Sequence, residues 1–332
     1  MSYLQSLNYQ VSYLTLEGGG FQNDLRMVST KKDKSRFKTY IHRLFSIYNW
    51  LKANPRTVVI TKELQSEYVV FGARFILWVQ DIHFRHISIR PSFGFRTDSL
   101  WHLIKNCAFY FSCYFVDVNI AVSAHVKGCI MRFIPNPART ITIANSVPSL
   151  ANAKVSFQQP VRLLYTGKLS QRKNVIELLQ AVYLLSGDYV LDIVGDGVQR
   201  LVLEKYVVQH HLTNKVFFHG YRNDVTSFLT CSDIFILPSL KEGLSLSLLE
   251  AMAAGLACVV SRNGSNESIV KHGKNGLLYE IGDYISLAKK LKQVLNSEQL
   301  RVKLQRGAQR TIEKGYLDAT QFAQYKQLID SL

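Results

Sequence analysis

The chain has 332 residues, 47% hydrophobic and 19% charged, which is enough apolar material for one large or two ordinary domains and too much for a disordered chain. Its 40 Lys and Arg against 24 Asp and Glu give a formal charge of +16, which favours an anionic partner without choosing among nucleic acid, an acidic membrane surface and phosphorylated substrates. The 5 cysteines are odd in number and none stands in a C-x-x-C pair, so a disulfide scaffold is excluded and buried free thiols in a reducing compartment are expected.

The opening Met1-Ser-Tyr-Leu-Gln is polar and lacks a basic flank, so no cleavable signal peptide is expected. Tyr9–Leu16 reads as a strand with partial alternation, and Gly18-Gly-Gly20 as a flexible turn. A basic stretch, Lys31–Lys38, leads into a helix near Thr39–Lys52. Thr57–Ile60, Phe75–Val79, Val118–Val122 and Ile141–Ile143 are further strand candidates, giving a shorter α/β unit. The most apolar window, Cys107–Val126, meets Asp117, Asn119, Ser123 and His125 well short of the roughly 20 apolar residues a membrane span requires. It reads as a helix end followed by a buried strand, and no transmembrane helix is expected. The polar stretch Asn145–Pro160 divides the chain into domains at 1–150 and 151–332.

From Val161 the pattern becomes regular. Strands at Val161–Thr166, Val190–Val194, Lys215–Phe218, Ile234–Leu237 and Cys258–Ser261 alternate with helices near Asn174–Leu185, Val198–Val208, Val225–Leu229 and Ser247–Ala254. Strands apolar on both faces and separated by helices predict a parallel sheet covered on both sides, a Rossmann-like domain. The tail, Asp283–Leu332, reads as successive helices.

The residues that carry chemistry cluster where strands end. Tyr165-Thr-Gly167-Lys168 and Ile193-Val-Gly195-Asp196-Gly197 place glycine where a strand gives way to a loop, and ligands of open α/β sheets sit outside the carboxyl ends of strands. After Ile234–Leu237 comes Glu242-Gly243-Leu244-Ser245, then a helix carrying Glu250. Gly243 permits close backbone approach, and the helix N-terminus favours phosphate through its free N–H groups and positive dipole end. Glu250 stands where a carboxylate accepts hydrogen bonds from ribose hydroxyls. Lys168 and Lys173 frame another loop after a strand and can neutralise a diphosphate without a metal. Singly, such charges are ordinary at helix ends; together, at corresponding strand ends, they point to an anion site.

In order and spacing these stretches resemble the donor-binding domain of GT-B glycosyltransferases of family 4, a large group of retaining sugar transferases. The resemblance runs over residues 161–300 through Gly167–Asn174, Leu191–Gly197, Val216–Gly220, Asp233–Ser239, Glu242–Gly255 and His272–Leu278, with the Glu-x7-Glu spacing of Glu242 and Glu250 its most specific part. It implies a nucleotide-sugar held as co-substrate, with Lys168 and Lys173 on the diphosphate, Glu242 on the donor sugar, the amides of Gly243, Leu244 and Ser245 on the phosphates and Glu250 on the ribose. Gly167, Gly195, Asp196 and Gly197 would line the donor, Tyr221 and Arg222 the base, and Glu267 the sugar. No metal and no further cofactor is implied.

The first half resembles the family's acceptor domain more loosely. Trp78-Val-Gln-Asp81-Ile-His83 is similar to a strand end that often reads His-Asp, which makes Asp81 and His83 the acceptor-side candidates. Asp117–Ser123 resembles the last acceptor-domain strand, and Ile143-Ala-Asn145-Ser146-Val the Asn-Gly-Val turn before the linker. Leu4–Asn8 resembles the end of the family's first helix, so the first strand and its glycine loop are expected to be missing. The fold that the resemblance implies is GT-B, two Rossmann-like domains facing across a cleft, the N-terminal one incomplete.

The implied function is transfer of a sugar, with retention, to a polysaccharide or lipid-linked acceptor in bacterial lipopolysaccharide, capsule or exopolysaccharide synthesis. Alternatives are a homologue that binds donor without turnover and a sugar-nucleotide epimerase on the same fold. Nucleic acid is not expected as a partner, since only charge supports it. Arg26–Phe45 interleaves basic and apolar residues as a basic amphipathic helix does, implying a cytoplasmic protein able to dock on the anionic inner face of the membrane.

Overall fold

The computed structural model describes residues 48–49, 51–53, 58–61, 70, 85–90, 107, 110, 113–134, 138–149 and 160–332. The chain divides into two compact units, one of Met1–Ile143 with Phe322–Leu332 and one of Ala144–Gln321. The break therefore falls just ahead of the expected linker, and the last residues of the chain group with the first unit instead of the second. Leu328 shows why: it is buried among Val118, Ile120 and Ile143.

The first unit carries a four-stranded parallel sheet in the order β1 (Val58–Thr61), β2 (Arg85–Arg90), β3 (Val118–Ala121), β4 (Thr140–Thr142). β3 is buried at every position, as expected of a central parallel strand, and three of its four residues are apolar. Its one polar residue, Asn119, donates from Nδ2 to the Cys113 carbonyl at 2.9 Å. Helix α1 (Ala124–Phe133) starts directly behind β3, where Ser123 Oγ accepts from the Val126 amide at 3.2 Å and caps it. Tyr9–Leu16, Gly18–Gly20, the basic segment 26–45 and Phe75–Val79 lie outside the described residues.

The second unit is the regular one. Its six-stranded parallel sheet runs in the order β10 (Leu277–Tyr279), β9 (Ala257–Ser261), β8 (Ile234–Leu237), β5 (Val161–Thr166), β6 (Tyr189–Val194), β7 (Val216–Gly220). Between its strands lie α2 (Val175–Tyr183), α3 (Arg200–Gln209), α4 (Val225–Cys231), α5 (Leu246–Ala253) and α6 (Gly264–Ile269), followed by α7 (Tyr284–Asn296) and α8 (Glu298–Gly315). The last helix, α9 (Asp318–Asp330), begins in the second unit and ends in the first. β8 and β9 are buried at every position, whereas Phe217 on the edge strand β7 is exposed. Leu163, Leu191 and Ile236 from the strands pack with Leu178 and Leu287 from the helices in one core.

The strand order fixes where a ligand can sit. From β5 the chain winds outward through β6 and β7, then returns to lay β8 against the other side of β5 and winds outward through β9 and β10. The crossovers diverge between β5 and β8, and this topological switch point opens a crevice outside the carboxyl ends of those strands.

Glycine lets the strand-end loops close up there. Gly195 has φ +137°, and a Cβ on it would stand 2.0 Å from the Gly167 carbonyl oxygen; one on Gly197 would stand 2.3 Å from that of Leu169. The loops after β5 and β6 are instead tied by hydrogen bonds, Gly167 N to Val194 O at 3.0 Å and Leu169 N to Asp196 O at 2.9 Å.

Gly187, at φ +109°, has open space around the same position and serves as the comparison. Gly187→Ala pays backbone strain alone, about 1–2 kcal/mol, whereas Gly195→Ala pays that and about 2 kcal/mol more for the clash. Urea unfolding of the two variants checks the difference, and equal losses would refute the packing role.

Candidate functional site

Two loops meet across the switch point. The first leaves β5 through Gly167 and Lys168 and makes a single 3-10 turn, Gln171–Lys173, before Asn174 takes a left-handed conformation (φ 51°) to enter α2. Asparagine tolerates that conformation better than most residues, and its Nδ2 is bonded to Glu177 in the first turn of α2. The turn leaves Lys173 directed inward. The second loop leaves β8 through Pro238 and Ser239 and brings Glu242 to face it. Lys173 Nζ and Glu242 Oε1 are 2.6 Å apart, with only 11% and 7% of the two side chains exposed.

Arg172 adds a second cation that the sequence reading did not single out. Its Nη1 lies 3.3 Å from Glu242 Oε2 and donates to the Lys241 carbonyl at 2.8 Å, while its own carbonyl accepts from the Leu240 amide at 2.9 Å. The backbone of Glu242 is held as well, by Ser265 Oγ donating to its carbonyl at 2.6 Å from the first turn of α6. Asn145 donates from Nδ2 to the carbonyl of Leu244, 3.0 Å away in space and 99 residues along the chain. Ser261 Oγ and Asn263 Nδ2 both donate to the Ser239 carbonyl. The loop from Ser239 to Ser245 is thus fixed from several directions.

Gly243, Leu244 and Ser245 are buried and lead into α5. Ser245 makes no side-chain cap; its Oγ bonds the hydroxyl of Ser247 instead, at 2.9 Å. The first amides of α5 therefore keep their donors, and the positive end of the helix, for something else. Two buried hydroxyls at the same strand ends, Thr166 Oγ1 and Ser239 Oγ, have no protein partner among the described residues.

Glu250, on α5, is half-buried and has no side-chain partner among the described residues, and burial raises its carboxyl above the ordinary range. A carboxylate placed without a counter-charge beside a crevice is a feature of binding sites rather than of cores, where such groups are paired. Tyr165, buried beneath this region, donates from its hydroxyl to the Lys168 carbonyl at 3.2 Å, and burial together with the nearby Glu242 charge pushes its phenol well above normal.

The structure brings together some of the expected residues and not others. Lys173 and Glu242 are brought together from two loops, and Gly243, Leu244 and Ser245 continue the second of these into α5. Lys168 is exposed on the loop after β5, and its ammonium has no partner among the described residues. Gly195 and Gly197 are needed for the approach of the two loops to each other, whereas a Cβ on Gly167 would meet the Tyr165 hydroxyl at 3.1 Å. Asp196 accepts from the Gly197 amide at 2.7 Å and pairs with Arg200 at 3.2 Å. Tyr221 is 77% exposed, and Arg222 spends its guanidinium on Asp224 at 3.1 Å. Glu267 is taken up by Arg262 at 2.6 Å. Asp81 and His83 lie outside the described residues. Among the described residues no three His, Cys, Asp or Glu side chains gather as a metal site would require, and no helix is long and apolar enough to cross a membrane. No disulfide joins the five cysteines, of which Cys113 and Cys258 are buried as expected while Cys107 and Cys231 are exposed.

Residues 148–311, within the second unit, match the family described as glycosyl transferases group 1. The chain is 34% identical over 142 residues to UDP-Gal:alpha-D-GlcNAc-diphosphoundecaprenol alpha-1,3-galactosyltransferase of Escherichia coli, covering 41% of this chain and 37% of that one. It is 33% identical over 138 residues to the lipopolysaccharide core biosynthesis glycosyltransferase LpsE of Rhizobium meliloti, covering 42% and 40%. These matches span less than half of either relative. Among solved structures, sucrose-phosphate synthase from Thermosynechococcus elongatus superposes with a TM-score of 0.83 over 99% of this chain and 90% of that one, at 18% identity. At that identity the likeness shows the fold alone, and the fold is GT-B.

The unpaired carboxylate of Glu250 makes stability depend on pH. Its folded-state pKa is raised, so it favours the fold while protonated and penalises it once pH rises through that value. Glu250→Gln should therefore unfold at a higher temperature than the parent at neutral pH. The gain should vanish below the ordinary carboxylate range, where the acid is protonated in both states. Thermal unfolding across pH checks this, and a pH-independent difference would refute it.

Proposed function

We propose that the chain is a retaining glycosyltransferase that moves a sugar from a nucleotide-sugar donor to a glycan or lipid-linked acceptor during assembly of a bacterial surface polysaccharide. The observation that carries this reading is the Lys173–Glu242 pair at the switch point, with the free amides of α5 and the unpartnered Glu250 beside it. A diphosphate set at the start of α5 meets helix amides and the ammonium of Lys173. Lys168, exposed at the rim, adds a mobile cation for the same charge. Glu242 then exchanges its bond to Lys173 for hydroxyls of the donor sugar, and Glu250 takes those of the ribose.

In the course we propose, the acceptor hydroxyl attacks the anomeric carbon from the face that the diphosphate leaves. The new glycosidic bond forms as the carbon–phosphate oxygen bond breaks, and the acceptor proton passes to that departing oxygen. The protein's task is electrostatic: cations and backbone amides, fixed before the reaction, stabilise the charge that collects on the diphosphate, usually the dominant contribution in such chemistry. No metal enters this scheme.

The Escherichia coli relative is named for a UDP-galactose donor and a diphosphoundecaprenol-linked acceptor, and the Rhizobium protein for lipopolysaccharide core biosynthesis. Those names make UDP-sugars the first donors to test and a lipid-linked or core glycan the first acceptor. An anionic membrane surface and the inner face of the cell membrane belong to the same proposal, through residues 26–45.

Purified protein incubated with UDP-, GDP-, ADP- and dTDP-sugars should show a thermal shift with one nucleotide class and release of the nucleoside diphosphate when acceptor is present. Glu242→Gln should keep the shift and lower release by about a hundredfold or more. Gln is the informative replacement, because Ala would leave Lys173 buried without its partner at a cost of about 3–5 kcal/mol. Full transfer by Glu242→Gln would overturn the catalytic assignment. Binding without release on any acceptor would mark a donor-binding homologue, and conversion of donor alone to an epimer would mark an epimerase.

Asn145 is expected to act through the Leu244 carbonyl. Asn145→Ala should weaken nucleotide binding several-fold, the equivalent of about 1 kcal/mol for one hydrogen bond. Asn145→Asp, which sets acceptor against acceptor, should weaken it further. Equal affinities for all three proteins in a nucleotide titration would remove this role.

A further inference from the structure

Away from the Glu242 site, the second unit holds a groove of about 1000 Å³ along α8, walled by Lys274, Lys303, Arg306 and Arg310, with Glu298 the one carboxylate among its lining residues. Lys303, Arg306 and Arg310 follow at helical spacing and so share a face. Lys274 reaches them from another element, the turn between α6 and β10, and that juxtaposition is built in. Gly307 is seated between the arginines, and a Cβ on it would stand 2.1 Å from the Lys274 carbonyl oxygen. Only glycine lets the turn press so closely on the helix. The buried Asn275 locks it there, donating to Thr311 Oγ1 at 2.8 Å and to the Ile269 carbonyl at 3.0 Å, and accepting from the Lys271 amide at 2.6 Å.

What sets these cations apart is that they are gathered around one concavity with no side-chain partner among the described residues. Elsewhere in the unit Arg162, Arg172, Arg200, Arg222 and Arg262 each hold a carboxylate, and Arg301 holds the carbonyls of Val294 and Leu295. Arg306 and Arg310, with Lys274 and Lys303, have no side-chain partner among the described residues, although they are gathered around one concavity. Like charges held together in a rigid groove repel at a cost that a bound anion would remove. The start of α8 faces the same groove through Ser297 and Glu298 and adds the positive end of its dipole.

We propose that this groove binds a phosphate-bearing anion, with the guanidinium groups of Arg306 and Arg310 as its principal contacts and Lys274 and Lys303 closing over it. Guanidinium suits phosphate because its planar fork donates two parallel hydrogen bonds. The phosphate could come from a lipid headgroup at an anionic membrane or from a free phosphorylated molecule, and the two sources are separable by experiment.

The test uses the full chain and the double variant Arg306→Glu/Arg310→Glu, whose sites are exposed and make no contact that the fold needs. One arm measures co-sedimentation with vesicles of phosphatidylcholine, with and without phosphatidylglycerol. The other measures heat on titration with inorganic phosphate. The parent should bind at least one probe about tenfold or more tightly than the variant at low salt, with the difference shrinking as salt rises. Binding to the acidic vesicles identifies a headgroup, and binding to inorganic phosphate a free ligand. Equal behaviour of parent and variant toward both probes, or no binding of either probe by the parent, overturns the proposal. An unchanged unfolding temperature of the variant shows that lost binding is not lost fold, and an unchanged thermal shift with nucleotide keeps the result separate from the Glu242 site.

Discussion

The contact between Lys173 and Glu242 asks more of the chain than any other ion pair among the described residues of the second unit. Two opposite charges withdrawn from water must lie close, stay close and be fully bonded, or their desolvation outweighs their attraction. Each side chain comes from a different loop, and those loops leave strands, β5 and β8, that are neighbours only because the chain reverses its winding between them. The pair is thus a consequence of the strand order, and much of the local architecture serves to hold it. The left-handed Asn174 turns Lys173 inward, Arg172 grips the opposite loop at two points, and Ser265 fixes the Glu242 backbone from behind. The glycines at 195 and 197 let the loop after β6 close on the loop after β5 without displacing it.

That dependence explains what could and could not be read from the sequence. The strands from Val161 to Ser261 were legible because their burial on both faces leaves continuous apolar runs, which a parallel sheet demands. β2 was not, because Arg85-His-Ile-Ser-Ile-Arg carries a charged residue at each end and a histidine between; only its alternating Ile87 and Ile89 hint at a strand. β10 is too short for periodicity to register, and α6, Gly264-Ser-Asn-Glu-Ser-Ile, has almost no apolar face to detect. The same division holds at the site. Glu242, Glu250 and Lys173 were found because they sit in a recognisable spacing beside strand ends. Arg172, Ser265 and Asn145 were not assigned to the site, since each acts on a backbone or a carboxylate far away in sequence, through contacts that no local pattern encodes.

The C-terminal residues show the same limit at the scale of a domain. Helical periodicity through Asp283–Leu332 says that helices follow one another, and nothing in it says which core each one joins. Leu304 and Ile312 are buried in the second unit, while Leu328 on the next helix is buried with Val118 and Ile120 of the first. A hydrophobic stripe specifies that a face must be covered and leaves the covering partner to tertiary structure.

Pairing is the more telling guide to function once the fold is known. Many ionised groups among the described residues of the second unit have partners: Asp192 is bonded by both Arg162 and His219, and Asp224 by Arg222. Against that background the groups left unanswered carry the information. Glu250 stands half-buried and alone beside the crevice, where its raised pKa is a cost the fold bears. The cations of the α8 groove stand together with no carboxylate bonded to any of them among the described residues. Neither arrangement improves the folded state by itself. On the proposed functions, hydroxyls of a donor would supply the missing half of the interaction at Glu250, and an anion would supply it in the α8 groove.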